Sequence, residues 1–215
     1  MPDLSQFAFY FAACLLLAVT PGPGIFYVAA RTLAGGRAEG IASSLGTGLG
    51  GMVHVVAGSL GVSAILLASA ELFTVMKVIG AAYLVWLGLR TIIAARRESA
   101  AALAGELAAT PVGAAPAFKE GILVEALNPK TAAFFLAFVP QFVVPSAGHV
   151  ALQFVVLGFI SVLLNTLADV VVAFAAGSIR DGAASRPALI GRLRQGSGAA
   201  MIALGAGLLL AKRPA

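Results

Sequence analysis

Long apolar segments alternate with short polar connections along the chain, and this pattern predicts membrane-spanning helices. Residues 4–30, 40–70 and 131–168 contain no Asp, Glu, Lys or Arg. A helix needs about 20 apolar residues to cross the hydrocarbon core of a bilayer, so each segment is long enough. The third is too long for one span, and the prolines and glycine at 140, 145 and 148 predict a turn inside it.

Six spans follow from this pattern, and the expected fold class is an all-α polytopic membrane protein. The predicted spans are residues 4–30, 41–68, 73–95, 118–144, 150–176 and 196–211. Three spans form a first repeat, residues 1–95, and three form a second, residues 119–215, with a cytoplasmic loop at residues 96–118 between them. The composition agrees, because 11% of the residues are charged, against about 25% in soluble domains.

The basic residues predict the orientation in the membrane. If the connections alternate between the two sides, ten Lys and Arg residues follow spans one, three and five, and three lie on the other side. Positive charge favours the cytoplasmic side, so both termini are expected outside the cytoplasm. This placement also explains the net charge of +5 without a nucleic-acid partner. The first apolar segment lacks a basic region before it and is interpreted as a retained span.

Two predicted spans are interrupted by helix-breaking residues. The first break consists of Thr20, Pro21, Gly22, Pro23 and Gly24, and the second of Asn128, Pro129 and Lys130. A break inside a membrane is tolerated only where protein or a water-filled cavity satisfies the freed backbone groups. Three spans in each half make the second half enter the membrane from the opposite side, so the matched breaks favour an inverted repeat with a substrate site at the breaks.

At these residues the chain resembles the lysine exporter (LysE/RhtB) family of bacterial amino-acid exporters. The matching segments, in family order, are 20–24, the glycine-rich second span, 77–84, 87–88, 128–130, 134–135 and 140–142. The resemblance implies a small carrier in the inner membrane that exports amino acids or their derivatives and is driven by an ion gradient, with proton coupling expected. It does not determine the substrate, because family members export basic, neutral and hydroxylated amino acids.

The two breaks are the predicted substrate-binding site. Half-helix N-termini present N–H groups to a carboxylate, and half-helix C-termini and unwound carbonyls suit an ammonium group, so together they fit a zwitterion. Lys130 is either functional, with Glu125 as its partner, or extends to the membrane interface. Asn165 is a further candidate for substrate binding because it shares a helix face with Asp169.

Three titratable residues are candidates for proton or ion coupling: Asp169, Glu125 and His54. Asp169 could carry a proton, or it could lie near the cytoplasmic interface. His54 shares a small-residue face with Gly46, Gly50 and Gly58. A lone His in a packed helix is more often a hydrogen-bonded core residue, and this alternative stays open.

The sequence lacks the motifs that are typical of other classes of function. Residues 46–51 satisfy G-x-G-x-x-G, but they lie inside an apolar span without the strand and turn that a dinucleotide site requires. We therefore predict no enzyme activity, no cofactor and no metal site. The expected partners are a small-molecule substrate, the lipid bilayer and, if the small-residue faces pack between copies, a second copy in a homodimer. The alternatives are a metal-cation exporter of related fold and a membrane scaffold without transport.

Overall fold

The computed structural model describes residues 3–68 and 111–182 continuously. It also describes positions 71, 74–75, 78–79, 81–82, 85–86, 89, 92–93, 199, 202–203 and 206. The described residues form helices and their connections without a strand, so the all-α prediction is confirmed. Predicted spans three and six are therefore described only at scattered positions, and most of the predicted loop at 96–118 lies outside the described residues.

The first span is a bent pair of helices. Helix α1, Leu4–Val19, begins at Asp3, whose pKa is lowered because its carboxylate accepts hydrogen bonds from the Gln6 N–H and the Ser5 hydroxyl. Helix α2, Pro23–Gly35, follows at an angle of 44°. It ends at Gly36, whose positive φ of 81° favours glycine and stops the helix. The span is therefore longer than the predicted 4–30.

The fourth predicted span is also bent. Helix α4, Ala114–Ala126, is followed at 42° by the helical segment α5, Pro129–Phe142. The latter is α-helical over Pro129–Ala133, a π-helix over Phe134–Phe138 and a 3₁₀ helix over Val139–Phe142.

The predicted start of this span at residue 118 is wrong by four residues. Gly113 adopts a φ of 88° immediately before the helix, and Pro116 lies in the first turn, where its missing N–H is not needed.

A long straight helix follows each bent span. Helix α3, Arg37–Ala68, has 32 residues, and helix α6, Val150–Gly182, has 33. Both are long and apolar enough to cross a membrane, and each bent pair also qualifies if it forms one span. The described part of each half thus has the same order, a bent span and then a long helix.

Equivalent elements of the two halves run antiparallel. In the bent spans, the Tyr10 ring of α1 lies 4.9 Å from the Phe142 ring at the end of α5. The Tyr27 hydroxyl of α2 donates to the Ala117 carbonyl near the start of α4 at 2.7 Å. In the long helices, Gly58 of α3 packs against Phe154 near the start of α6. The two breaks therefore face each other.

Glycines allow α3 to approach its neighbours closely. A Cβ atom on Gly46 would collide with the Phe118 carbonyl, and one on Gly50 with the Ile122 carbonyl, so both glycines pack against the α4 backbone. A Cβ atom on Gly51 would lie 3.0 Å from the Val162 side chain of α6. The small-residue face of the second span thus packs inside the chain, and a homodimer stays a prediction.

The aromatic side chains of α5 form the core between the bent spans. Phe134, Phe135, Phe138 and Phe142 are all buried and pack together with Tyr10. The Tyr10 hydroxyl donates to the Leu157 carbonyl at 2.8 Å and so links α1 to α6.

Candidate functional site

The first break separates the end of one helix from the start of the next. Helix α1 stops at Val19 with Thr20 as its C-cap, and Gly22 is the N-cap of α2 without a side chain to accept from the first turn. Thr20, Pro21 and Gly22 are all buried. Carbonyls at the end of a helix carry a partial negative charge, so this site favours a cationic partner.

The second break also separates two helices, but here a side chain caps the start of the second helix. Helix α4 ends at Ala126, and Asn128 is the N-cap of α5. The Asn128 Oδ1 atom accepts from the Lys130 backbone N–H at 3.0 Å. Proline occupies the first helical position after each break, Pro23 in α2 and Pro129 in α5. This position suits proline because its missing N–H would have no helical partner.

Lys130 connects the two breaks. Its Nζ atom donates to the Thr20 carbonyl at 3.0 Å and to the Leu17 carbonyl at 3.3 Å. A Cβ atom on Gly22 would lie 3.1 Å from the same Nζ atom, so the absent side chain makes room for the lysine. The Lys130 side chain is 3% exposed and does not reach the membrane interface.

Lys130 and Glu125 interact electrostatically, but these two described residues make no direct ion pair, and the carbonyls of the first break accept from the amine instead. Glu125 is held from within its own break. Its Oε2 atom accepts from the Asn128 amide at 2.9 Å, and its Oε1 atom accepts from the Thr131 hydroxyl at 2.6 Å. Gly24 of the first break faces this carboxylate, since a Cβ atom there would lie 2.8 Å from Oε2.

His54 hydrogen-bonds to the backbone of the second break. Its Nε2 atom lies 2.9 Å from the Glu125 carbonyl oxygen, which can only accept, so Nε2 carries a hydrogen. The ring stacks on Phe135 at a centroid distance of 6.0 Å. This placement agrees with the core alternative, and a proton-carrying role for His54 stays a prediction.

Asp169 is completely buried inside the protein, and its position relative to the membrane interface stays a prediction. Its Oδ2 atom is 2.8 Å from the Thr47 hydroxyl oxygen of α3, which joins the two long helices. Its Oδ1 atom has no hydrogen-bond partner within the described part of the chain.

A narrow cavity lies beside the two breaks. Its lining consists of Leu17, Thr47, Gly48, Gly51, Glu125, Thr131, Phe135, Ser161, Val162 and Asn165. Both halves of the chain therefore contribute. The space is about 280 Å³ when counted to its open mouth, but its inner part has room for about one water molecule.

Only Glu125 and Asn165 of the predicted site residues line this cavity. The two breaks, residues 20–24 and 128–130, lie beside the cavity and contact each other instead. The sequence analysis did not predict three of the polar residues that line the cavity. These are the hydroxyl-bearing Thr47, Thr131 and Ser161. One signal for Ser161 was available, because Ser161, Asn165 and Asp169 are spaced by four residues on one face of α6.

Apolar helices, two bent spans and a cavity that both halves line define the class of protein: a multi-pass membrane protein with the architecture of a transporter. The chain belongs to the LysE family, since the sequence pattern described as LysE type translocator matches residues 15–212. This confirms the resemblance seen in the sequence. The protein is accordingly a translocator of a bacterial membrane family and not an enzyme.

Several similar proteins are named as efflux proteins. The homoserine/homoserine lactone efflux protein of Salmonella typhimurium is 30% identical over 158 residues, which cover 73% of this chain and 73% of that protein. The leucine efflux protein of Salmonella choleraesuis is 25% identical over 148 residues, 69% and 68% of the two chains. An uncharacterized membrane protein of Pseudomonas aeruginosa is 33% identical over 78% of each chain. No solved structure matches the chain.

Proposed function

We propose that the protein is a secondary transporter that exports an amino acid or amino-acid derivative across the bacterial inner membrane, coupled to protons. One observation carries the proposal: the two helix breaks contact each other beside a cavity that both halves line and that holds the Glu125 carboxylate, the Asn165 amide and three hydroxyl groups. Broken helices at the interface of two repeats are the usual location of substrate sites in secondary transporters.

The antiparallel packing supports an inverted repeat. In such a repeat each element runs opposite to its equivalent, and both the bent spans and the long helices do so. We therefore retain six spans in two three-helix repeats, residues 1–95 and 119–215, joined by a cytoplasmic loop. The two termini would then lie on the periplasmic side.

The cavity chemistry suits a small polar amine. Among its lining residues the one charged group is the Glu125 carboxylate, which would face the ammonium group of an amino acid. The Ser161 hydroxyl and the Asn165 amide can donate to a carboxylate or to a polar side chain. The two breaks, 20–24 and 128–130, would hold these groups in place and supply helix ends of opposite polarity.

Alternating access would proceed by movement of one half against the other around the breaks. The inner cavity is too narrow for an amino acid, so binding requires the halves to separate. The hydrogen bonds from Lys130 to the Leu17 and Thr20 carbonyls join the two halves, so they must rearrange when the halves separate. Of the coupling candidates, Glu125 lines the cavity, while His54 and Asp169 make hydrogen bonds between helices from the two halves.

The test measures whether expression of the protein protects cells that are overloaded with one compound at a time. Homoserine and leucine are the first probes because the relatives that export them are similar to this chain. We expect expression to protect against at least one amino acid, and the purified protein in vesicles to transport the same compound against its gradient when a proton gradient is imposed.

Two outcomes would overturn the proposal, provided that the protein is detected in the membrane. Protection against a divalent metal and against no amino acid would favour the metal-cation exporter, although no metal-binding group of three His, Cys, Asp or Glu occurs among the described residues. Protection against nothing would favour a scaffold without transport.

A further inference from the structure

The two buried carboxyl groups of the site have different hydrogen-bond environments. Each oxygen of Glu125 has its own donor, the Asn128 amide on Oε2 and the Thr131 hydroxyl on Oε1. Asp169 has one neighbouring hydroxyl, that of Thr47, and its Oδ1 atom has no partner in the described ranges. A buried carboxylate is costly unless donors or a cation compensate it. The surroundings therefore suit an ionised Glu125 and a neutral Asp169.

Counting hydrogens at Thr47 leads to the same assignment. The Thr47 hydroxyl has one hydrogen but lies within hydrogen-bond distance of two oxygens, the Ser44 carbonyl at 2.9 Å and Asp169 Oδ2 at 2.8 Å. If Asp169 is ionised, Thr47 can donate to only one of them. If Asp169 carries a proton on Oδ2, the carboxyl donates to Thr47 and Thr47 donates to Ser44. Both short distances are then hydrogen bonds.

The charged groups around Asp169 are already engaged. Glu125 and Lys130 are the charged residues that interact with it electrostatically. The Lys130 amine donates to the Leu17 and Thr20 carbonyls and is not hydrogen-bonded to Asp169. Among the residues that the structure describes, an ionised Asp169 would therefore have no cation in direct contact.

We infer that Asp169 holds the coupling proton in this conformation and that Thr47 is the positioning residue for its binding and release. The inference rests on the proposed proton-coupled export and assigns the proton to Asp169 rather than to Glu125 or His54. On release, the O–H bond of the Asp169 carboxyl breaks, its electron pair stays on Oδ2, and the proton passes to water in the cavity that Thr47 lines. The Thr47 hydroxyl then turns from the Ser44 carbonyl and donates to the new carboxylate.

Infrared difference spectra of the full chain in lipid vesicles test the assignment without requiring transport. We expect a carbonyl band from a protonated carboxyl group near neutral pH that Asp169→Asn removes and Glu125→Gln retains. A spectrum without this band, or a band that Glu125→Gln removes instead, would overturn the inference. Asn is a suitable replacement because its amide can still donate to Thr47.

A pair of variants tests the role of Thr47. Thr47→Val has nearly the same shape but can neither accept from a protonated Asp169 nor donate to an ionised one, whereas Thr47→Ser can do both. The bond to the charged form is the stronger of the two, so its loss disfavours ionisation. We therefore expect the pH at which half of the band is lost to rise by about one unit in Thr47→Val and to stay unchanged in Thr47→Ser. Equal midpoints in both variants would refute a positioning role.

Transport assays separate this inference from the proposed function. Asp169→Asn should still exchange labelled substrate for unlabelled substrate but should lose transport driven by a proton gradient. Proton-driven transport by this variant would refute the assignment even if export is established. If the wild-type chain moves no amino acid, the proposed function fails, while the infrared result still decides the protonation state.

Discussion

Replacing Gly24 by alanine tests whether the contact between the two breaks matters for transport. The added Cβ atom would lie 2.8 Å from Glu125 Oε2, closer than real Cβ contacts, so the carboxylate must move. The movement would weaken the hydrogen bond of 2.9 Å from the Asn128 amide. The backbone itself accepts alanine, because Gly24 lies in the first turn of α2.

The expected magnitude follows from two opposing terms. Overpacking a well-packed site costs about 1–3 kcal/mol, and alanine is favoured over glycine in a helix by about 1 kcal/mol. The two terms leave a net destabilisation of about 0–2 kcal/mol, while the carboxylate and its break are displaced. If the substitution raises the free-energy barrier of a transport step by about 1–2 kcal/mol, the transport rate decreases about 5- to 30-fold.

The assay measures initial export rates in vesicles together with thermal stability in the same lipids. Gly61→Ala is the matched control, since no atom lies within 4 Å of its added Cβ, and it should transport like the wild type. A Gly24→Ala protein that transports at the wild-type rate would refute the argument that this contact is needed. Loss of transport in both variants would show that the effect is not specific to the break.

Three further predictions concern the connection between the halves and the topology. Lys130→Met should lower the thermal stability, because the buried Thr20 carbonyl loses the Lys130 amine as its donor, and a buried group left unpaired costs about 1–3 kcal/mol; an unchanged melting temperature would contradict this. The ion pair between Arg31 and Glu120, with side chains 17% and 44% exposed, should contribute only about 0.2–1 kcal/mol in a double-mutant cycle, and a coupling several times larger would contradict the view that it is a weak surface pair. A tag at the C-terminus should be accessible only from outside the cytoplasm, and a cytoplasmic tag would rule out the six-span inverted repeat.

The elements that face lipid were the most predictable part of the fold. A bilayer offers no hydrogen-bond partners, so spans must be long, apolar and helical, and this constraint is visible in residues 37–61 and 150–178. The two breaks were equally visible because proline and glycine act locally. The helix starts were less predictable, and α4 begins at Ala114 since Gly113 and Pro116 define its first turn.

The partners inside the site were not predictable in the same way. Lys130 is five residues from Glu125 in sequence, which suggested a local pair, but its amine contacts Leu17 and Thr20 more than 100 residues away. Thr47 was one of many small residues in a glycine-rich span, and nothing in its neighbourhood along the chain pointed to Asp169. Contacts of this kind depend on how whole helices pack.

Composition, local backbone restrictions and ordered motifs act over a few residues, so they were enough to predict a helical membrane protein of the LysE family with two broken spans. The antiparallel arrangement of these spans, their connection through Lys130 and the enclosure of Asp169 by the long helices became visible only in the packed helices. Those outcomes depend on glycine positions such as Gly46 and Gly50, where two helices can approach closely, and such complementarity exists only between surfaces that the fold has already brought together.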